Sequence, residues 1–163
     1  MDLFLKIAFA GILATFIMVL WAYGQKALFG IKSLDYCLVG RWLLSMQQGK
    51  FRHSNIASSD QMKHECLAGW VSHYAIGVVF SFLFVGLHSL FSFEIDFYQT
   101  VIFGIATVVV PFFVMQPSFG FGYAASKTPN PWQARVRSLM AHASFGVGLY
   151  LSIQLLESTS KIA

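Results

Sequence analysis

Three side chains that can exchange hydrogen bonds interrupt otherwise apolar stretches of the sequence: His73, Gln116 and His142. Histidine can exchange a proton near neutral pH or ligate a metal, and glutamine offers both a donor and an acceptor. Together these residues could hold a small polar ligand. The two histidines alone could ligate a b-type haem or serve a quinone.

The glutamine lies in a segment, VVVPFFVMQPSFGFGYAAS, that interrupts its own helical pattern. Pro111 and Pro117 each remove a backbone donor and clash with the carbonyls of Thr107 and Phe113. In a membrane, carbonyls freed in this way are tolerated only where protein or water supplies a partner. We therefore predict a bent helix end that lines a polar pocket containing Gln116.

The elements that would position these residues are apolar runs long enough to cross a bilayer. Of the 163 residues, 56% are hydrophobic and 11% are charged, whereas soluble domains carry about 25% charged residues. One crossing needs about 20 apolar residues, which predicts four spans at about 3–22, 67–91, 97–119 and 138–156. A signal peptide is the alternative for the first run, but that run is long for one and no small-x-small cleavage site follows it.

Basic residues are distributed unevenly between the predicted loops. Nine of the 11 Lys and Arg residues fall between spans one and two or between spans three and four. Because cytoplasmic loops carry the excess of Lys and Arg, we expect both loops inside and both termini outside. This distribution orients a membrane protein and argues against nucleic acid as a partner. The expected partners are membrane lipids and, because four spans are few for a transporter, further copies of the chain.

The first cytoplasmic loop is long enough to contain a helix of its own. The segment from about 33 to 48 begins with Ser33 as a candidate N-cap and has Asp35 in its first turn. It is short for a span, so a helix at the inner interface is predicted, with a re-entrant hairpin as the alternative. The polar segment that follows, KFRHSNIASSDQMK, is predicted to be exposed, His53 included.

The two cysteines, Cys37 and Cys66, lack the spacing of a disulfide framework or a thiol metal site. Both fall on the side predicted to face the cytoplasm, where thiols stay reduced. We therefore predict two ordinary small side chains. Small residues in the spans, Gly11 and Thr15 in the first and Gly148 in the fourth, are predicted to pack helices closely.

The predicted topology brings three polar residues to a common depth. Spans two and four run outward, which places His73 roughly 10 Å and His142 roughly 7 Å along their helices. Span three runs inward and ends near Gln116. Histidines inside membranes usually face the bundle interior and mark a function, although they can also simply join helices. Arg137, at the start of span four, could add charge for an anionic group.

Longer stretches of the sequence resemble a known family. SLDYCLVGRW, GKFRH, GWVSHYAIG and PFFVMQPSFGFGYAASKTPNPWQARVRSLMAHASFGVGLYL are similar to bacterial inner-membrane proteins catalogued as domain of unknown function 2938. The resemblance covers nearly the whole chain. It implies a small multi-pass protein of the bacterial inner (plasma) membrane and implies no activity. The polar positions that recur in the family correspond to Arg41, His53, His73, Gln116, Arg137 and His142.

The predicted fold is an all-α integral membrane protein, one membrane domain over residues 1–163, with four transmembrane helices and an interfacial or re-entrant helix in the first loop. The predicted function is binding or transport of a small ligand at an inner-leaflet pocket. The alternatives are a b-type haem or quinone protein, a lipid-modifying enzyme, and a structural or accessory subunit of a larger complex. The predicted ligand-binding residues are His73, Gln116, His142, Arg137 and Arg41, with His73 and His142 as the metal ligands if haem is bound.

Enzymatic activity is the less favoured reading of the sequence. It contains no HExxH motif, no Asp-rich metal motif and no Ser/His/Asp set, and none of its seven acidic residues is predicted inside a span. No catalytic residue is therefore predicted. Absence of a cofactor is favoured over haem b.

Overall fold

Helices account for the regular structure of the chain. A computed structural model describes residues 2–31 and 34–161, with side chains described as far as residue 158. The described residues contain no β-strand, which confirms the predicted all-α class. The elements are α1 (Leu3–Phe29), α2 (Tyr36–Met46), α3 (Glu65–Phe91), α4 (Phe97–Ala106), a π-helical segment (Pro111–Met115), α5 (Gln116–Ser118) and α6 (Pro131–Lys161), with 3-10 turns at Ile56–Ser58 and Tyr123–Ala125.

Four helical stretches are long and apolar enough to cross a membrane, as the sequence predicted. They are Leu3–Phe29, Glu65–Phe91, Phe97–Ser118 and Pro131–Ser158. The third comprises α4, the π-helical segment and α5. Insertion into the membrane and the placement of both termini outside stay predictions.

Side-chain caps and one glycine define where several helices begin and end. Asp35 accepts a hydrogen bond from the Cys37 amide at 2.9 Å and so begins α2, because a side-chain acceptor satisfies an amide that has no partner in the first turn. Asp96 caps α4 in the same way, 2.7 Å from the Gln99 amide. Gly30 ends α1 in a left-handed conformation, φ 65°. The predicted N-cap of α2, residue 33, lies outside the described residues.

The third span changes helix type where its prolines predicted an interruption. Helix α4 ends at Ala106, and the π-helical segment begins at Pro111. The Gln116 amide donates to the Pro111 carbonyl, five residues back, which is the π-helical pattern. After α5 the chain turns at Gly120, φ 85°, a conformation that glycine adopts without steric cost. The predicted interruption is thus a π-helical segment followed by the helix end, and the polar pocket that this end would line stays a prediction.

The contacts of the chain divide it into two compact units. Unit 1 contains Met1–Ser33, Tyr74–Thr107 and Met140–Ala163, and unit 2 contains Leu34–His73 and Val108–Leu139. Each has its own apolar cluster; the prediction of a single membrane domain stays a prediction. The buried cluster of unit 1 contains Ala10, Ala14, Phe84, Phe145 and Leu149, and that of unit 2 contains Val39, Trp42, Ile56 and Phe119.

Helices of unit 1 approach one another at small residues. A Cβ built on Gly104 of α4 or on Gly146 of α6 would lie 2.5 Å from a backbone oxygen of the other helix. A Cβ built on Gly11 would lie 2.7 Å from a backbone atom of α3, and one built on Gly148 would lie 2.9 Å from a backbone atom of α1. Such approaches bring the helix backbones into close van der Waals contact, which small residues permit. The predicted packing role of Gly11 and Gly148 is confirmed.

Candidate functional site

Helices α2 and α3 meet backbone to backbone in unit 2. A Cβ built on Gly40 would lie 1.7 Å from the Glu65 carbonyl oxygen, and one built on Gly69 would lie 1.8 Å from the Tyr36 carbonyl oxygen. The contact is therefore reciprocal: the first residue of each helix faces the glycine four positions into the other. No residue larger than glycine fits at either position without moving a helix.

This crossing joins Cys37 and Cys66 in a disulfide bond, with their Cα atoms 3.9 Å apart. Each cysteine lies three residues before the glycine of its own helix and so on the same helix face. The prediction of two ordinary unbonded cysteines is wrong, because the helix crossing, and not the sequence separation of 29 residues, sets their distance. A local signal was present in the sequence, since CLVG at 37–40 is repeated as CLAG at 66–69.

A buried ion pair lies next to the disulfide. The Arg41 Nε and Nη2 atoms donate to the two carboxylate oxygens of Glu65 at 2.8 and 2.7 Å. Arg41 Nη1 also donates to the carbonyls of Ile56 and Ser59, both at 2.9 Å. The hydrogen bond to Glu65 raises the pKa of Arg41 above its ordinary value. Arg41, predicted as a ligand-binding residue, therefore ties α2 to α3 and to the loop between them.

The polar segment after α2 is mostly exposed, as predicted, but His53 and Ile56 within it are buried. His53 is 7% exposed, and Ile56 is fully buried. The amide of His53 donates to the Ser118 carbonyl at 2.8 Å, and that of Ile56 donates to the Phe119 carbonyl at 2.9 Å. The last carbonyls of a helix need partners from outside it. The loop supplies those partners where α5 ends, and His53 and Ile56, whose amides do so, are its buried residues.

The ring of His53 is held in a polar but poorly solvated position. Its Nδ1 atom lies 2.9 Å from the Ser59 hydroxyl. Burial lowers the pKa of His53 below its ordinary value, and the positive charges of Lys50 and Arg41 lower it further. The neutral imidazole is therefore the favoured form in the folded protein.

The two predicted intramembrane histidines have neighbours in different units. In unit 2, the ring of His73 stacks on Tyr36, with ring centroids 4.1 Å apart and an interplanar angle of 26°. In unit 1, His142 Nδ1 lies 2.7 Å from the Thr107 hydroxyl oxygen. The threonine hydroxyl thus meets the hydrogen-bonding need of one imidazole nitrogen. Convergence of His73, Gln116 and His142 on one site stays a prediction.

Three buried side-chain atoms of unit 2 have no hydrogen-bond partner among the described residues. They are His53 Nε2, Gln116 Oε1 and Arg137 Nε. By contrast Arg135, two residues before Arg137, donates from Nε to the Ala124 carbonyl at 2.8 Å. Most buried polar atoms in native proteins are paired, so each exception needs a physical reason. Gln116 and Arg137 were both predicted as ligand-binding residues.

Metal ligation was the alternative prediction for the histidines. Within the described part of the chain, no group of three or more His, Cys, Asp or Glu side chains is placed to hold a metal ion. With Nδ1 of His142 next to Thr107, Nε2 is the nitrogen of that ring left for another ligand. Ligation of a haem by His73 and His142 stays a prediction.

Comparison with known proteins identifies the family. The family described as protein of unknown function (DUF2938) matches residues 8–156. The chain belongs to this family. The resemblance found in the sequence is thereby confirmed. Neither a curated protein nor a solved structure matches the chain.

This DUF2938 member also has an apolar cavity of about 430 Å³ in unit 1. Two polar side chains on its wall have partners: Ser81 Oγ donates to the Ile7 carbonyl at 2.8 Å, and His88 Nδ1 contacts the Phe93 carbonyl. A mostly apolar cavity of this kind accepts a hydrocarbon chain more readily than a polar ligand. The unpaired polar atoms of unit 2 are the stronger sign of a polar site. The remaining cavity wall includes Leu3, Lys6, Ala10, Val85, Ile153 and Glu157.

Proposed function

We propose that this DUF2938 member is a multi-pass protein of the bacterial inner membrane that binds a small polar ligand in unit 2. Gln116 would accept a hydrogen bond from the ligand, and Arg137 would donate one to it. The observation that supports the proposal is that Gln116 Oε1 and Arg137 Nε are buried and lack partners among the described residues. Leaving a buried polar group unsatisfied costs about 1–3 kcal/mol, and more if it is charged. A ligand that supplies both partners would recover that free energy.

The chemistry of the two atoms specifies the ligand class. Guanidinium groups favour the oxygens of carboxylates and phosphates, and an amide oxygen accepts from a hydroxyl or an amine. We therefore propose a ligand that carries an anionic oxygen group and a separate hydrogen-bond donor. The proposal leaves out Arg41, whose guanidinium already makes four hydrogen bonds. It also leaves out His142, which belongs to unit 1.

The test is a comparison of what the purified protein retains. Wild type, Gln116→Met and Arg137→Met are purified in detergent, extracted with organic solvent, and the released small molecules are identified by mass spectrometry. Methionine keeps an unbranched side chain while removing the polar atom. An acidic compound present in wild type should fall about tenfold or more in both variants, since a hydrogen bond to a charged group contributes about 1.5–3 kcal/mol. Inorganic phosphate, added as a probe, should raise the unfolding temperature of wild type only.

A matched control addresses the cavity of unit 1. Val85→Phe would fill part of that cavity and should leave retention of the compound unchanged. Loss of the compound in Val85→Phe and its retention in the unit 2 variants would place the ligand in unit 1 instead. If the variants at Gln116 and Arg137 are more stable than wild type and release the same small molecules on extraction, the two atoms do not bind a ligand. A Soret band in purified wild type would favour the haem alternative.

A further inference from the structure

The disulfide of unit 2 lies at the N-termini of two helices. Cys37 is the second residue of α2, and Cys66 is the second residue of α3. The partial positive charge at a helix N-terminus stabilises a thiolate. The Asp35 carboxylate, which caps α2 next to Cys37, opposes this effect, whereas Arg41 neutralises Glu65 beside Cys66. Cys66 is exposed and Cys37 is partly exposed, so an external thiol can reach the bond.

Contacts other than the disulfide also join the two helices. The backbone approach at Gly40 and Gly69 and the bidentate ion pair between Arg41 and Glu65 do not involve the sulfur atoms, so we expect both to persist when the sulfur–sulfur bond is broken. The two thiols of the reduced protein would therefore stay adjacent. Adjacent thiols can form the disulfide again without a large rearrangement of the backbone.

The basic residues near the disulfide favour a cytoplasmic location for it. Lys50, Arg52 and Lys63 all lie in the segment between α2 and α3, on the side predicted to be cytoplasmic by the excess of basic residues. Cytoplasmic disulfides are rare in mesophilic bacteria, and those that form are usually transient, catalytic or redox-sensing. A disulfide on this side therefore points to a reversible role.

We propose that Cys37 and Cys66 are a redox-active pair that exchanges electrons with cytosolic thiols. A thiolate attacks the exposed Cys66 sulfur, forms a mixed disulfide and releases the Cys37 thiolate. A second external thiolate then attacks the external sulfur of the mixed disulfide, which forms an external disulfide, breaks the bond to Cys66 and releases the Cys66 thiolate. Two electrons pass from the two external thiols to the protein, and the two protein thiolates take up the two protons. An oxidised external disulfide reverses the sequence. This pair is independent of the ligand proposed for Gln116 and Arg137.

The redox state is tested on the full-length protein in intact bacteria. Growing cells are quenched with acid, and free thiols are labelled with a maleimide–polyethylene glycol that shifts the protein on a gel once per thiol. We expect two labels in untreated cells, none after brief treatment with diamide, and two again within minutes of its removal. No label in untreated cells, with labelling only after denaturation and reduction, would overturn the proposal and indicate a permanent structural disulfide outside the cytoplasm. Two labels after diamide would also overturn it.

Two further arms identify the thiol and exclude a structural role. Recovery after diamide is followed in a strain that lacks glutathione and in one that lacks a cytosolic protein dithiol reductant. Slower recovery in either strain identifies the source, and unchanged recovery in both overturns exchange with these thiols. Purified protein reduced by glutathione should stay folded, with a similar circular dichroism spectrum. Loss of its helical signal on reduction would show that the bond is structural.

The single-cysteine variants test the order of attack. Cys37→Ser leaves the exposed Cys66 thiol, and Cys66→Ser leaves the less exposed Cys37 thiol. Oxidised glutathione should form a mixed disulfide faster with the Cys37→Ser protein. Equal or reversed rates in two folded variants would contradict attack at Cys66.

Discussion

Unit 1 and unit 2 are stabilised by different kinds of contact. In unit 1 the helices meet at glycines, and the Ser81 hydroxyl donates to the Ile7 carbonyl of a neighbouring helix at 2.8 Å. Unit 2 also contains a close glycine crossing, but adds a buried bidentate ion pair between Arg41 and Glu65. Unit 1 thus relies on close backbone approaches and single hydrogen bonds, whereas unit 2 also depends on two buried charges that neutralise each other.

The difference matters because the two kinds of contact fail differently. An interhelical hydrogen bond in a membrane protein averages about 0.6 kcal/mol. Removing one partner of a buried ion pair costs about 3–5 kcal/mol, because the other charge is left buried and uncompensated. We therefore expect single substitutions in unit 2 to be more damaging than comparable ones in unit 1.

The largest effect is expected from Glu65→Leu. The substitution leaves the Arg41 guanidinium buried without its carboxylate and should destabilise the protein by about 3–5 kcal/mol. The measurement is an equilibrium unfolding titration in mixed micelles. Because the double variant Arg41→Met/Glu65→Leu removes both charges, it should recover much of the loss, although not the bonds from Arg41 to Ile56 and Ser59. If the double variant is no more stable than Glu65→Leu, the uncompensated charge of Arg41 is not the cause of the loss.

The second prediction applies the same substitution to the crossings of both units. Gly69→Ala places a Cβ 1.8 Å from a carbonyl oxygen, and Gly146→Ala places one 2.5 Å from a carbonyl oxygen. Overpacking of this kind costs about 1–3 kcal/mol, and the closer approach at Gly69 should cost more. Gly86→Ala is the matched control, because nothing lies within 4 Å of its Cβ position; it should be neutral or stabilise the helix by up to about 1 kcal/mol. Equal losses of stability in Gly69→Ala and Gly146→Ala would show that the closer helix approach in unit 2 has no energetic consequence.

A smaller effect is expected from Thr107→Val in unit 1. Valine has the shape of threonine but cannot form a hydrogen bond with His142 Nδ1, which lies 2.7 Å from the threonine hydroxyl oxygen. The loss should be about 0.6 kcal/mol and no more than about 1.7 kcal/mol. Thr107→Ser keeps the hydroxyl and should retain most of the stability in the same titration. A loss as large as that of Glu65→Leu would show that unit 1 also depends on a particular polar pair.

Local sequence patterns could predict the features that depend on a single segment. The length of each apolar run predicted the four candidate spans, and Pro111 and Pro117 marked where the third changes its helix type. The small size of Gly11 and Gly148 predicted close approaches between helices. Each of these features follows from the chemistry of neighbouring residues along the chain.

Features that join distant segments could not be predicted in this way. The contact of Cys37 with Cys66 depends on two glycines that let α2 and α3 touch. Arg41 has the chemistry of a ligand-binding residue, and only the fold shows that its partner is Glu65. The burial of His53 depends on the carbonyl of Ser118, which is free because α5 ends there. Periodicity and composition report which face of a helix is apolar, but not which other segment contacts it.

The last expected effect is the dependence of stability on pH through His53. Burial, followed by the charges of Lys50 and Arg41, lowers the pKa of His53 from its ordinary value of 6.5. The unfolded chain therefore takes up this proton at a higher pH than the folded chain does. Stability should be independent of His53 above about pH 6.5 and fall as the pH decreases toward the lowered pKa, by at most about 1.4 kcal/mol per pH unit for one proton.

The variant His53→Gln isolates this contribution, because glutamine can still bond with Ser59 but takes up no proton. The free energy of unfolding is measured for wild type and His53→Gln at a series of pH values between 5 and 8. Its dependence on pH should be the same for both proteins above about pH 6.5 and should be steeper for wild type below that pH. If the two pH profiles are parallel throughout, the buried imidazole is not a source of acid sensitivity in unit 2. Divergence would show that unit 2, unlike the hydroxyl and glycine contacts of unit 1, carries a stability term that depends on a titrating group.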